Sequence, residues 1–503
     1  MSSIIEYLSR NRRIVEAILA ALLIVLGSIN VFSGLGKERI RSWDEARHGV
    51  SSCEMMESGN YIVNTYNHSV DYWNVKPVLS FYNNIIGMKL FGRNIFGFRF
   101  FSALSYLIIA ALIYLLLRKE AGIAAAFVGS AAFLTLPTNW VHSFRTGDPD
   151  ATFMMFCFAA FVCLWYSARK GWLLSLCTFF LGLAFLVKTF HVGIHGILVL
   201  IFVGFHWKRY SWRDLLLALV SGAAPVLIWA GARFHADGWK FFQSMINLDL
   251  LGRVGDAHMV EHSDVVWYEY FQALNHYLVV IPLAIAACAI ALGLIFKGKK
   301  CFSSSQDSLG RWTVFFFLFS FSAFSACHVK LKWYIFPSLV YFTVTFGMLF
   351  HFACRWIREE SEKKPHLIRF LPPLTIIIAC MVWLGIGEGK AIHNVVKLDV
   401  QHDVLTDDGH GGDAYRGCVF YSVNQDGVAD VPHQKFMLVV RFLDGKLVLK
   451  NVEEYKNATD DAFLVCRFEE AKTERMGPMA EGFAARHSLK LIRYANGQAL
   501  YHR

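Results

Sequence analysis

The amino-acid sequence predicts a polytopic α-helical membrane protein of about eleven spanning helices, with amphipathic surface helices in its first outer loop and a small C-terminal α/β domain outside the membrane. Three observations carry this. Of 503 residues, 55% are hydrophobic and 17% charged, against about 25% charged in a soluble globular chain. The apolar residues gather in runs of roughly 17 to 25, the length that crosses a bilayer core. The basic residues gather between those runs, on alternate connections, as the positive-inside rule requires. The net charge of +10 is therefore a mark of topology, and nucleic acid is not an expected partner.

The spans are expected over residues 14–34, 97–117, 121–138, 151–167, 171–187, 190–206, 213–233, 267–295, 312–328, 333–352 and 367–387. The first run has no small-residue cleavage site and exceeds a secretory core in length, so it reads as a retained helix. With the N-terminus in the cytoplasm, the inside connections carry Arg12 and Arg13, Arg118 and Lys119, Arg169 and Lys170, Lys208 and Arg209, Lys297 to Lys300, and Arg355 to Lys364. An odd number of spans then places the last hundred or so residues outside. Residues 1–390 form the membrane domain and 391–503 the extracytoplasmic one.

The long outer loop, 35–96, contains two predicted helices. Asp44 to Met56 has helical spacing with acids in the first turn and Ser42 as N-cap. A second helix begins after Pro77 and runs to Phe91. In the tail, the runs at 417–423, 435–442, 446–452, 462–468 and 489–495 read as strands, with turns at Asp444–Gly445 and Asn496–Gly497 and a helix over 470–486. None of the eleven cysteines forms a CxxC pair. Cys418 and Cys466 are the two that an oxidising compartment would join.

Chemistry-bearing side chains cluster on the outer side. Asp44 and Glu45 stand beyond the first span, where they serve as a general base, a metal site or a complement to the helix dipole. Lys76, Lys188, and Lys330 with Lys332 after His328 lie in three separate outer segments. Each alone is a snorkelling lysine; together, on the side topology depletes of lysine, they suit a phosphate held at the membrane surface. Arg145, Asp148 and Asp150 share a short loop and form either a local salt bridge capping the next helix or part of a site. Arg253 and His262 sit among acids and aromatics before Trp267, without fixed metal-ligand spacing.

The run SWDEARHGVSSCEMMESGNYIV followed by YWNVKPVLSFYNNIIGMKLFGRNIFGFRF resembles the first outer loop of bacterial GT-C glycosyltransferases. It is similar to the aminoarabinose transferases of lipid A and to the wider group related to protein O-mannosyltransferases. Asp44-Glu45, Lys76-Pro77 and Phe91-Gly92 through Arg99 occupy the matching positions, followed by GDPDA at 147–151, FLVKTF around Lys188, Arg253 with Trp267-Tyr268, and KLKWYIFP at 330–337. Lys332-Trp333 departs from the proline and small polar residue usual there.

The resemblance implies a membrane glycosyltransferase, inverting at the anomeric carbon. It would move a sugar from a polyprenyl-phosphate donor to a lipid, glycan or protein acceptor on the outer face of the plasma or inner membrane. It implies Asp44 as base with Glu45 beside it, and Asp148 or Asp150 as a second acid. Lys76, Lys188, Arg253, Lys330 and Tyr334 become phosphate ligands, with Tyr72, Arg145, His262 and His328 as further neighbours. No cofactor is expected; a divalent metal would instead favour transfer from a diphosphate-linked glycan. A lipid flippase is the rival of a different class and predicts charges buried mid-span and internal repeats. The acids and lysines cluster at one face instead.

Overall fold

The computed structural model describes residues 11–41, 44–137, 139, 142–252, 305–327, 331–361, 371–397, 404–405, 413–459, 461–468, 473–495 and 497–503. Among these, eight helices are long and apolar enough to cross a membrane. This is a multi-pass membrane protein. The predicted span 267–295 lies outside the described residues.

The membrane bundle comprises α1 (Arg12–Phe32), α4 (Ile95–Glu120), α5 (Ile123–Leu134), α6 (Asp150–Ser167), α7 (Leu173–Lys188), α8 (Val192–Phe205), α9 (Trp212–Asp237), α11 (Ser305–Ala326), α12 (Phe336–Ser361) and α13 (Leu371–Val396). The ends follow local chemistry. Asn94 caps α4 by accepting from the Gly97 amide at 2.8 Å, and Arg118 and Lys119 complement the carbonyl dipoles of its last turn. Ser211 and Asp214 form a reciprocal capping box on α9. Glycines set the close crossings. A Cβ on Gly182 of α7 would lie 2.5 Å from the Gly222 carbonyl of α9, and one on Gly347 of α12 would lie 2.8 Å from the Ala125 carbonyl of α5.

Length and composition alone would join α7 and α8 into one helix of 33 residues, but the chain reverses between them. Thr189 takes φ 45° and ψ −130°, in the left-handed half of backbone space that a β-branched residue avoids. Lys188 meets Asp150 at the start of α6. Beyond the reversal, α8 runs back beside α6, with His195 against Phe153 and Phe202 against Trp165. The two spans expected at 171–187 and 190–206 are thus two antiparallel helices.

The first outer loop holds α2 (Asp44–Ser58), the hairpin β1 (Thr65–Tyr66) and β2 (Ser69–Val70), and α3 (Leu79–Phe91). Asn67 and His68, both at positive φ, make the hairpin turn. The expectation of a surface helix with one solvated face fails for α2. Apart from the half-buried Arg47 it is buried from Glu45 through Met55, because small residues (Ala46, Gly49, Ser51, Ser52, Cys53) let neighbours approach closely. Gly49 packs against Leu438 and Phe98, where a Cβ would come within 2.6 to 3.0 Å.

Leu438 belongs to α14 (Gln434–Phe442), in the C-terminal sheet region. There β3 (Val419–Asn424), β4 (Lys446–Val448), β5 (Ala462–Arg467), β6 (Lys490–Ala495) and β7 (Gln498–His502) form one sheet in the order β4-β3-β5-β7-β6, with α15 (Val452–Lys456) and α16 (Thr473–His487) alongside. Strands β3, β4 and β5 are parallel; β5, β7 and β6 are antiparallel. The run 435–442, expected as a strand, is α14. Phe436 to Val440 and Phe442 are all buried, and a short run buried on all sides has no periodicity to separate helix from strand. Cys418 and Cys466 are unpaired. Cys466 lies in register with Val423, five residues along β3 from Cys418, roughly 16 Å at strand rise and far beyond disulfide reach.

Candidate functional site

Two buried arginines build the platform beneath the first outer loop. Arg145 donates to the Asn30, Val31 and Ser33 carbonyls at 2.8 to 3.0 Å and to Glu38 at 2.7 Å, closing the C-terminal end of α1. Among the described residues no ion pair joins it to Asp148 or Asp150, so it does not form the local capping bridge, and these contacts make it part of the platform. Arg99, fully buried on α4, holds both oxygens of Glu45 at 2.6 and 2.9 Å and the carbonyls of Leu35, Glu38 and Arg39. Glu45 also accepts from the amides of Arg41 and Gly147 at 2.7 and 2.8 Å. Burial alone would raise its pKa, but the Arg99 charge and these donors hold it below the ordinary value. A carboxylate so fully engaged is a poor proton acceptor, and the structure places Glu45 in the scaffold.

Its neighbour Asp44 is exposed at the start of α2, close enough for its charge to act on His48, His142 and Asp148. The loop 142–150 supplies two further acids. Asp150, buried at the start of α6, pairs with Lys188. Asp148 is buried with Oδ2 3.2 Å from His142 Nε2; its Oδ1, with the Thr146 hydroxyl nearby, has no well-aligned hydrogen-bond partner among the described residues. Burial, then the charges of Glu45, Asp44 and Asp150, push the Asp148 pKa well above the carboxylate range. Burial holds His142 down to about 4. Burial thus favours the uncharged form of both partners, the Asp148 carboxyl and the His142 imidazole.

The cations stand beside these acids. Lys188 Nζ lies 4.8 Å from the Tyr334 ring centroid, and His191 meets the same ring edge-on at 5.0 Å. Tyr334 belongs to the 3-10 turn Lys332–Ile335, whose Trp333 stacks on His142 at 4.4 Å. Lys76, just before α3, donates to both oxygens of Asp249 at 2.9 and 3.0 Å. Asp249 lies in the π-helical turn Ile246–Leu251 that follows α10 (Lys240–Met245), and it also accepts from the Thr189 hydroxyl at 2.6 Å. Ser143, at φ 80°, and Thr189 are two of the non-glycine residues at positive φ. Both lie in this site, where such strain is commonly stored.

Asp44, Asp148, Asp150, Lys76, Lys188 and Tyr334 therefore lie together, between the first outer loop and the bundle. Tyr72 stands to one side, its ring under Lys240 at 4.3 Å. Arg253, His262, His328 and Lys330 lie outside the described residues.

Comparisons with known proteins agree with this architecture. A family described as dolichyl-phosphate-mannose-protein mannosyltransferase matches residues 75–229. Two proteins named as undecaprenyl phosphate-alpha-4-amino-4-deoxy-L-arabinose arabinosyl transferases are similar in sequence. That of Shewanella sediminis is 31% identical over 61% of this chain and 55% of its own length. That of Proteus mirabilis is 30% identical over 64% and 57%. The chain thus spans little more than half the length of the curated relatives it matches. In three dimensions it superimposes on ArnT from Cupriavidus metallidurans with a TM-score of 0.65 in the apo state and 0.64 bound to undecaprenyl phosphate, at 14% identity, over 96% of this chain and 97% of that one. The chain has the fold of ArnT.

The resemblance read from the first outer loop therefore holds. Within the GT-C frame, sequence reasoning missed Asp249, His142, His48 and the role of Arg99. Asp249 stands in the apolar run INLDLL, a lone acid four residues before Arg253, and that isolation is the signal that would have found it. His48 is stacked on Phe81 at 4.1 Å and reads from sequence as one helical residue among many.

Proposed function

We propose that this chain is a membrane glycosyltransferase that moves a sugar from a polyprenyl-phosphate donor to an acceptor on the extracytoplasmic face of the plasma or inner membrane. The observation that carries the reading is the convergence of an exposed acid, Asp44, with two lysines from separate segments, Lys76 and Lys188, at one end of a bundle with the ArnT-like fold. Charge develops on the bridging oxygen as a glycosyl phosphate departs, and preorganised cations lower that barrier. Lys76 and Lys188 supply them, with Tyr334 closing one side; Arg253 and Lys330 join this set by their motif positions. Asp44 takes the proton of the acceptor hydroxyl as the anomeric carbon opens, giving inversion in a single displacement. Asp148 is the second acid. Its carboxyl, shifted toward the protonated form by burial, and its Oδ1 suit a hydrogen bond to sugar or acceptor, whereas Asp150 pairs with Lys188.

The topology that goes with this function has eleven spans, a cytoplasmic N-terminus and the C-terminal domain 391–503 outside. The relatives' names make an amino sugar and a lipid A-like acceptor the first pair to try, with other glycans, lipids and proteins next. The test is transfer of labelled sugar from a panel of polyprenyl-phosphate sugars into membranes by the purified full chain, with and without chelator. Transfer indifferent to chelator supports the monophosphate-donor reading. Transfer only from diphosphate-linked donors, or only with a divalent ion, replaces it.

A further inference from the structure

Lys76 is the cation that the reading above gives to the donor phosphate, yet its ammonium is already matched by a carboxylate. Both oxygens of Asp249 sit 2.9 and 3.0 Å from Nζ, in a pair whose side chains are 13% and 2% exposed. A lysine receives a phosphate in the same way, as a point charge facing the oxygens of one anion. A lipid phosphate placed on Lys76 while Asp249 stays would bring two anions into contact in a partly buried site, where like-charge juxtaposition opposes binding. One of the two must leave.

The surroundings say which one can move. Lys76 lies in the first outer loop, three residues before α3. Asp249 stands in a six-residue π-helical turn, an uncommon geometry that recurs at functional positions. It also accepts from the hydroxyl of Thr189 at 2.6 Å, a residue itself held at a strained φ of 45°. The second lysine differs. Its partner Asp150 is buried in the first turn of α6, where a carboxylate complements the helix dipole and has reason to stay.

We infer that Asp249 is a built-in competitor for the donor phosphate: it occupies Lys76 until the lipid phosphate displaces it, and so sets donor affinity. The inference rests on the donor reading above and adds a residue that neither resemblance nor motif assigned. Asp249 is a positioning residue, acting through Lys76.

The experiment measures binding of undecaprenyl phosphate to the full chain in nanodiscs, with undecaprenol as the uncharged control, for wild type, Asp249→Asn, Thr189→Val and Lys76→Ala. Removing the competitor lifts the penalty of a binding-competent state populated at about one part in ten, so Asp249→Asn binds about tenfold tighter. Thr189→Val, which loosens the carboxylate without removing its charge, moves affinity the same way by less, and it carries the test if Asp249→Asn does not fold. Lys76→Ala binds weakly, and adding Asp249→Asn to it brings no gain. Unchanged or weaker binding in both Asp249→Asn and Thr189→Val, with wild type binding well, overturns the inference and leaves the donor reading intact. Absence of phosphate-dependent binding in wild type overturns both.

Discussion

Adjacent acids in the first turn of α2 have opposite fates. Glu45 is pinned by Arg99, Arg41 and Gly147, and Asp44 is left in solvent facing the loop acids. Removing one partner of a buried, hydrogen-bonded pair costs about 3–5 kcal/mol. Arg99→Leu is therefore expected to lower thermal stability sharply in detergent, and Glu45→Gln to do so less because it keeps one acceptor. A melting curve checks both. The pH response follows from the histidines. Burial holds His48 and His142 each down to about 4, so between about 6.5 and 4 the unfolded chain binds protons that the native one does not. Their contribution is present above pH 6.5 and lost as pH falls toward 4. The raised Asp148 works the other way, its contribution fading as pH rises through its native value. Melting temperature should fall from pH 6.5 to 4, and His142→Phe should flatten that slope; an unchanged slope contradicts the assignment.

At the scale of elements, the contact between α2 and α14 is the sharpest claim. Gly49 leaves no room for a Cβ between Leu438 and Phe98, and overpacking of this kind costs about 1–3 kcal/mol. Gly49→Val is expected to impair both folding yield and transfer, with partial rescue by Leu438→Ala, measured as recovered monodisperse protein and its turnover. Much of this layer was legible in the sequence. Asp44 to Met56 announced α2 through its acidic first turn, Pro77 announced α3, and the turn expected at Asn496–Gly497 falls between β6 and β7, where Ala495 pairs with Gln498 and Gly497 takes a positive φ. What was not legible depended on neighbours. Phe436 to Phe442 looked like a strand because α2 and the sheet bury it on all sides, and β7 was unread because Gln498 to His502 is too short to show a pattern. Asp249 stands out in sequence as a lone acid in an apolar run, but its pairing with Lys76, 173 residues earlier, is a product of the fold.

Across the whole molecule, the C-terminal sheet region is clasped to the loop that carries the site. Arg441 pairs with Glu54 at 2.8 Å and with Glu57, Arg93 joins Glu57 to Asp444 at 3.0 and 3.1 Å, and the Tyr66 hydroxyl reaches Met437 at 3.4 Å. The bundle sets the cations and the C-terminal region steadies the acid-bearing helix from the other side. Arg441→Glu should therefore reduce turnover while leaving polyprenyl-phosphate binding near wild type, a split visible when the two are measured on one preparation.

The central claim is that Asp44, and not the better-buried Glu45, performs the proton chemistry beside the phosphate lysines. It is tested most directly by the single-turnover rate of sugar transfer by Asp44→Asn, in protein whose melting temperature matches wild type. A fall of about 100-fold or more, the scale of a lost general base, with donor binding retained, is the predicted result. Transfer that proceeds at the wild-type rate would contradict it.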